Sequence, residues 1–264
     1  MKLTNNPEGK YLYKFVPFNQ YSLQILINNQ LWLSPPDLLN DPFEGDFIVE
    51  NFESIRNKKV VKIITGLNDN YGKFINSFLS NVKSNRFKFE EHLYEYLNSK
   101  IKNKFGTSSF SKTCKSLKMW SHYADSHKGF VIIFDRNILE EGITNSVTKM
   151  VDVEYGELPA VQLLHDNNDV DILNDEFLLV KKLKEWKNEQ EVRVIIEGSL
   201  THQRRLLFFP KESIVAIIFG YRIEYQTSER RTIINLLSER LGDIMFYNSH
   251  KNEKRNNMIF ENAL

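Results

Sequence analysis

Met119-Trp120-Ser121-His122-Tyr123-Ala124-Asp125-Ser126-His127-Lys128-Gly129 runs straight into Phe130-Val131-Ile132-Ile133-Phe134-Asp135. The second half is an unbroken apolar run, bounded by Gly129 and Asp135 and rich in β-branched and aromatic residues. It reads as a buried strand. The first half packs a Trp, two His, a Tyr and an Asp into positions 120 to 128. A generic core rarely needs so many hydrogen-bonding aromatic side chains so close together. The segment therefore predicts the wall of a site beside a central strand.

Outward from this stretch, other short strands are legible. Tyr11 to Phe15 alternates and is aromatic, and Leu31 to Ser34 is halted by Pro35-Pro36. Thr107 to Ser111, Met150 to Tyr155, Glu191 to Glu197, Arg204 to Phe209, Ile214 to Phe219 and Ile244 to Tyr247 continue the set. Helical spacing appears over Tyr21 to Asn29 and from Val170 to Lys187. A further helix, capped by Thr227 or Ser228, carries Ile233, Ile234, Leu237 and Leu241. Residues 68–104 carry two amphipathic helical patterns and predict a helical insertion or lid. Strands and helices mix without strict alternation, and no linker divides residues 1–264. The expectation is a single α+β domain.

The bulk numbers narrow the function classes. The 264 residues carry a net charge of +1, so the whole-molecule field does not favour nucleic acid or an acidic membrane. Lys181-Lys182, Arg204-Arg205 and Arg230-Arg231 read as solvated surface. Cys114 is the one cysteine, which rules out a disulfide within the chain and fits a reducing, cytoplasmic setting. The N-terminus lacks an apolar signal core, and no apolar run approaches the roughly 20 residues of a membrane helix. No membrane partner is expected.

Four constellations are candidates for chemistry. Lys14, beside Tyr13 on the opening strand, and Ser34, at the end of the next, suit an anion such as phosphate; a solvated outer-face Lys14 is the plain alternative. Asn40-Asp41-Pro42-Phe43-Glu44 is either a structural Asx turn or a rim carrying Asp41 and Glu44. In the opening stretch, Trp120 and Tyr123 suit stacking on a planar ring. His122 suits acid–base work or a phosphate contact, and His127 precedes a Gly that allows close approach. No metal is expected there, because the His122 to His127 spacing exceeds the i, i+4 pair of a helical metal motif and no Cys pair supports it. Finally, Glu189 and Glu191 stand two apart at a strand start, on one face by strand periodicity, with Arg193 two further on as an internal partner.

Taken in order, Leu-Tyr-Lys-Phe (12–15 with its neighbours), Leu-Trp-Leu-Ser-Pro…Asn-Asp-Pro-Phe-Glu (31–44), Met-Trp-Ser-His-Tyr-Ala-Asp-Ser-His-Lys-Gly-Phe (119–130), Trp-x-x-Glu-x-Glu-x-Arg (186–193) and Ile-x-x-Ile-Ile-Phe-Gly (214–220) resemble the bacterial domain-of-unknown-function family 2971. The pattern is also similar to the ADP-ribosyltransferase fold, with its split β-sheet core. Such enzymes place a His or Arg on the first strand, a Tyr or Ser on the second and a Glu, often Glu-x-Glu, on a later one. Lys14, Ser34 and Glu189-x-Glu191 occupy those places in order, with Lys14 a departure from His or Arg.

That resemblance implies NAD as the cofactor-like substrate. Glu191 would steady the oxocarbenium-like ribose, and Glu189 would orient the acceptor. Lys14 would meet ribose or pyrophosphate, Trp120 or Tyr123 would stack on a base, and His122 would hold the acceptor or a phosphate. The expected activity is transfer of ADP-ribose to a protein or nucleic-acid acceptor, or NAD hydrolysis, in a toxin or phage-defence setting. Two alternatives belong to other classes: a metal-dependent nuclease or phosphoesterase built on Asp41, Glu44, Glu189, Glu191 and His122, and a non-catalytic nucleotide-sensing module.

Overall fold

A computed structural model describes residues 6, 9–49, 94–145, 147–165, 170–172, 175–198, 205–223, 228–242, 244–252 and 257–263. The first predicted helix of the insertion, near residues 71–82, and the proposed Thr227 cap lie outside the described residues. Of the second insertion helix, residues 94–104 are helical.

The chain folds as an α+β structure around one eight-stranded sheet. Its strands are β1 (Tyr11–Val16), β2 (Phe105–Ser111), β3 (Phe130–Asp135), β4 (Thr148–Asp152), β5 (Glu191–Glu197), β6 (Ile214–Phe219), β7 (Met245–Asn252) and β8 (Asn257–Asn262). The spatial order is β8-β7-β6-β3-β1-β2-β5-β4. Neighbours are antiparallel except β6 and β7, which pair in parallel across helix α4 (Ser228–Leu241). The other helices of the frame are α1 (Gln20–Asn28), α2 (Leu117–Tyr123) and α3 (Arg136–Ile143).

The central strand explains why the opening stretch reads as it does. Phe130, Ile132 and Phe134 join the core on one face of the sheet, together with Leu26 of α1, Leu139 of α3 and Leu237 of α4. Val131 and Ile133 join a second core on the opposite face, with Trp120, Met119 and Ala124. A strand covered on both sides has no polar alternation to show.

One departure from regular pairing creates the site. β1 pairs with β3 at six successive positions, Tyr11↔Asp135 through Val16↔Phe130. On its other side it meets β2 at Tyr13↔Ser111 alone. Past that point β1 and β2 part. The edge of β2 is instead taken by Ser34, which exchanges both backbone hydrogen bonds with Thr107 at 2.8 Å. The sheet stays continuous only through that shared position, and a gap is left between β1 and the 30–34 segment.

Several sequence expectations are corrected here. The continuous helix expected from Val170 to Lys187 does not form. Short strands at Val170–Ile172 and Lys181–Leu183 alternate with 3-10 turns at Asp175–Leu179 and Lys184–Glu189. The strand expected at Ile244 to Tyr247 runs on to Asn252, and Asn257–Asn262 pairs with it as the edge strand β8. Three supposedly solvated cations are buried: Lys182, Arg205 and Arg230. Arg205 donates to the carbonyls of Leu33, Phe105 and Lys102, which ties the end of the 94–104 helix to the sheet.

Candidate functional site

The gap beside β1 opens into a cleft of about 250 Å³ whose walls include Tyr13, Lys14, Ser34, Asn40, Tyr123, Glu189 and Glu191. Those seven residues come from segments far apart in sequence, and all were marked in the sequence. Beneath the cleft lies a buried lattice of charge. Arg193 places all five of its N–H donors. Its Nε donates to Glu191 Oε1 at 2.7 Å, and its Nη2 donates to Glu191 Oε2 at 3.1 Å and to Glu44 Oε2 at 2.9 Å. Its Nη1 donates to Glu44 Oε1 and to the Leu179 carbonyl. Lys182 Nζ stands 2.8 Å from Glu189 Oε2 and 3.2 Å from Glu191 Oε2, and 4.6 Å from the Trp186 ring centre.

Local structure places each group. Glu189 ends a 3-10 turn, Gln190 adopts a left-handed conformation with φ 46°, and Glu191 begins β5. The two carboxylates do not share a strand face, as the spacing alone suggested. The reversal at Gln190 nevertheless turns both towards Lys182. Lys182 is held on a short strand that pairs in parallel with Glu154–Gly156, and Tyr155 from that partner accepts the Glu191 backbone N–H at 2.7 Å.

Electrostatics follow from this packing. Burial alone would raise the Glu191 carboxyl, but the Arg193 guanidinium and the Lys182 ammonium hold it down at about 2. Burial likewise disfavours charge on Lys182, yet Glu191 and Glu189 more than offset that and its pKa rises. Glu44 is raised, by burial first, with Arg193 opposing. Lys14 is different. Its Nζ donates to Ser108 Oγ at 2.9 Å and to the Ser109 carbonyl at 3.1 Å, and it lies over the Phe110 ring. Desolvation, only partly countered by Glu191, lowers its pKa to about 8.

The remaining candidates divide. Tyr123 donates its hydroxyl to Glu189 Oε1 at 2.8 Å, so its ring is part of the cleft wall. Trp120 is 0 % exposed and its Nε1 donates to the Cys114 carbonyl; its indole is core and cannot stack on a ligand. His127 stacks on Trp120 and lies against Tyr221, buried on that side and not among the cleft residues. Its pKa is lowered by burial and then by Arg222 and Lys251. Asp41 forms the Asx turn, accepting the Phe43 N–H at 3.0 Å. Glu44 is no rim residue, since its side chain is 2 % exposed. His122 is exposed and lines a neighbouring cavity of about 250 Å³ with Lys118, Glu185, Trp186 and Glu189. Glu189 thus borders two cavities.

Two residues escaped the sequence reading. Lys182 sits in a Lys-Lys pair, which looks solvated until its strand is known. Trp32 is 36 % exposed and borders the cleft and a larger groove of about 540 Å³, as do Lys14 and Ser34. Its signal was present in Leu-Trp-Leu, where alternation turns the indole away from the core that takes Leu31 and Leu33.

Among the described residues no group of three or more His, Cys, Asp or Glu side chains is placed to hold a metal ion. Among them, too, no helix is long and apolar enough to cross a membrane. No curated protein and no solved structure matches the chain. Residues 119–194, which carry His122, Tyr123, Lys182, Glu189, Glu191 and Arg193, match the model of a family described as "Protein of unknown function (DUF2971)".

Proposed function

We propose that the cleft beside β1 binds NAD and that the protein acts like an ADP-ribosyltransferase, passing ADP-ribose to a macromolecular acceptor or to water. The observation that carries this reading is the meeting of Lys14, Ser34 and Glu189 around one opening between β1 and the 30–34 segment. A basic group, a hydroxyl and a carboxylate are what a ribose joined to phosphate and to a cationic ring requires.

The roles follow from which atoms still have capacity. Glu191 has both oxygens engaged by Arg193 and one also by Lys182, so it serves to position those cations. Each Glu189 oxygen accepts one hydrogen bond, from Tyr123 and from Lys182 respectively. An ionised carboxylate has about four acceptor sites, which leaves Glu189 able to take a ribose hydroxyl and to offset positive charge at the anomeric carbon. In the transfer, the bond from that carbon to the nicotinamide nitrogen breaks and its electron pair leaves with neutral nicotinamide. The acceptor's lone pair forms the new bond, and its proton passes to His122, which lines the cavity on the other side of Glu189. Lys14, as ammonium, holds the phosphate.

The test is NAD consumption by the purified chain, followed by mass spectrometry with and without candidate acceptors. Glu189→Gln keeps the shape and removes the charge, and is expected to slow consumption by about 100-fold or more. Wild-type protein that leaves NAD intact, or a Glu189→Gln variant that consumes it at the wild-type rate, would sink the proposal. A metal-dependent nuclease has less support, because Arg193 already engages Glu44 and Glu191.

A further inference from the structure

The larger groove beside the cleft has a different chemistry. It is bordered by the aromatic residues Tyr21 and Trp32, by Leu206, and by Gln24 and Gln30. Tyr21, Trp32 and Leu206 are 69 %, 36 % and 37 % exposed. Among the described residues lining the groove, Lys14 alone carries charge, and Lys14 stands where groove and cleft meet. The lining therefore favours a flat, neutral, hydrogen-bonding body joined to an anionic group at one end.

We infer that this groove is a base compartment, taking the purine of a nucleotide whose phosphate lies at Lys14. Its volume of about 540 Å³ falls within the roughly 300–1,000 Å³ of small-molecule sites. Aromatic side chains offer stacking surfaces to the faces of a base. An amide side chain carries a donor and an acceptor side by side, the pairing that matches the amine and ring nitrogen on the edge of adenine. Trp32 is held for this task from both sides: its strand pairs with 206–208, where Trp32 faces Leu206, and two residues later Ser34 is fixed to Thr107. The inference rests on the reading of the cleft as a nucleotide site and deepens it by assigning the far half of the ligand.

Calorimetry on the full chain tests it with two probes, adenosine 5′-monophosphate and ribose 5-phosphate. The monophosphate is expected to bind at least about tenfold more tightly, the contribution of a stacked base. Trp32→Ala should erase that difference while leaving ribose 5-phosphate unaffected. Gln30→Ala, a smaller change on the same strand, should reduce it and keeps the test open if Trp32→Ala misfolds. Equal binding of the two probes by wild-type protein would overturn the inference, as would full base preference in both variants. Base-dependent binding through Trp32 in a protein that never consumes NAD would uphold the compartment and sink the transferase reading alone.

Discussion

The Tyr123 hydroxyl donates to Glu189 Oε1 across 2.8 Å, linking the end of α2 to a turn 66 residues away. Burial, then the Glu189 charge, raises the Tyr123 pKa above its ordinary value, so the hydroxyl remains a donor well into alkaline solution. Tyr123→Phe removes one hydrogen bond to a carboxylate and is expected to cost about 1.5–3 kcal/mol. Urea denaturation measures that loss. NAD consumption should fall with it, because Glu189 loses one of the two contacts that orient it.

Arg193 presents the sharper case. It is 1 % exposed and every donor is used, so truncation would leave Glu44 buried without its cation and Glu191 with Lys182 alone. Arg193→Ala is expected to destabilise by about 3–5 kcal/mol, read from the denaturation midpoint. Arg193→Lys should recover little, since an ammonium has three donors and cannot form the planar double contact. Wild-type stability in the lysine variant would show that the lattice is less demanding than its geometry implies.

Acid should weaken the fold through Glu191. Its folded pKa of about 2 lies below the roughly 4.3 of an unfolded glutamate. The unfolded chain therefore binds the proton first as pH falls. The stabilisation is complete above about pH 4.3 and declines towards pH 2. Glu191→Gln should flatten that part of the profile of stability against pH, while lowering stability near neutrality.

Lys14 runs the other way. Its folded pKa of about 8 lies below the roughly 10.4 of an unfolded lysine. The unfolded chain holds more protons between those values, so stability rises with pH across that window. Phosphate binding needs the ammonium, and should weaken as pH climbs through about 8. Lys14→Met is expected to abolish pyrophosphate binding and its pH dependence while leaving the fold as stable or more so. Loss of stability in that variant would contradict the desolvation account.

Gly220 offers a test away from the cleft. A Cβ there would lie 2.1 Å from the His127 carbonyl oxygen. His127 itself follows Asp125 and Ser126 in a run of three left-handed residues. Gly220→Ala should cost about 1–3 kcal/mol, the usual penalty of overpacking, and thermal unfolding would show it. Nucleotide affinity should be unchanged, since neither residue borders the cleft or the groove.

The strands were largely legible in the sequence because their apolar runs are local statements. Tyr11 to Phe15, Phe130 to Phe134, Glu191 to Glu197 and Ile214 to Phe219 all form within a residue or two of expectation. The 170–187 stretch misled, because Leu173, Phe177, Val180 and Leu183 keep helical spacing while short strand pairings and 3-10 turns determine the backbone. Trp120 was misassigned for a related reason. An indole beside two imidazoles looks like a binding surface, and only the packing of α2 against β1 shows that it is core. Lys182 could not be placed at all until its partner strand was known, since a lone pair of lysines carries no register. The convergence of Lys14, Ser34, Glu189 and Glu191 depends on β1 and β2 parting after one shared position, a property of pairing and not of any single segment.

The Glu44 contact to Arg193 reaches beyond stability. Leu38, Leu39 and Asn40 border the cleft, and Glu44, a few residues on, is pinned to the sheet by an ion pair with both side chains no more than 2 % exposed. Mobile ions scarcely reach such a pair. The width of the entrance should consequently stay constant from dilute buffer to concentrated brine, even as charges on the outer surface are screened away.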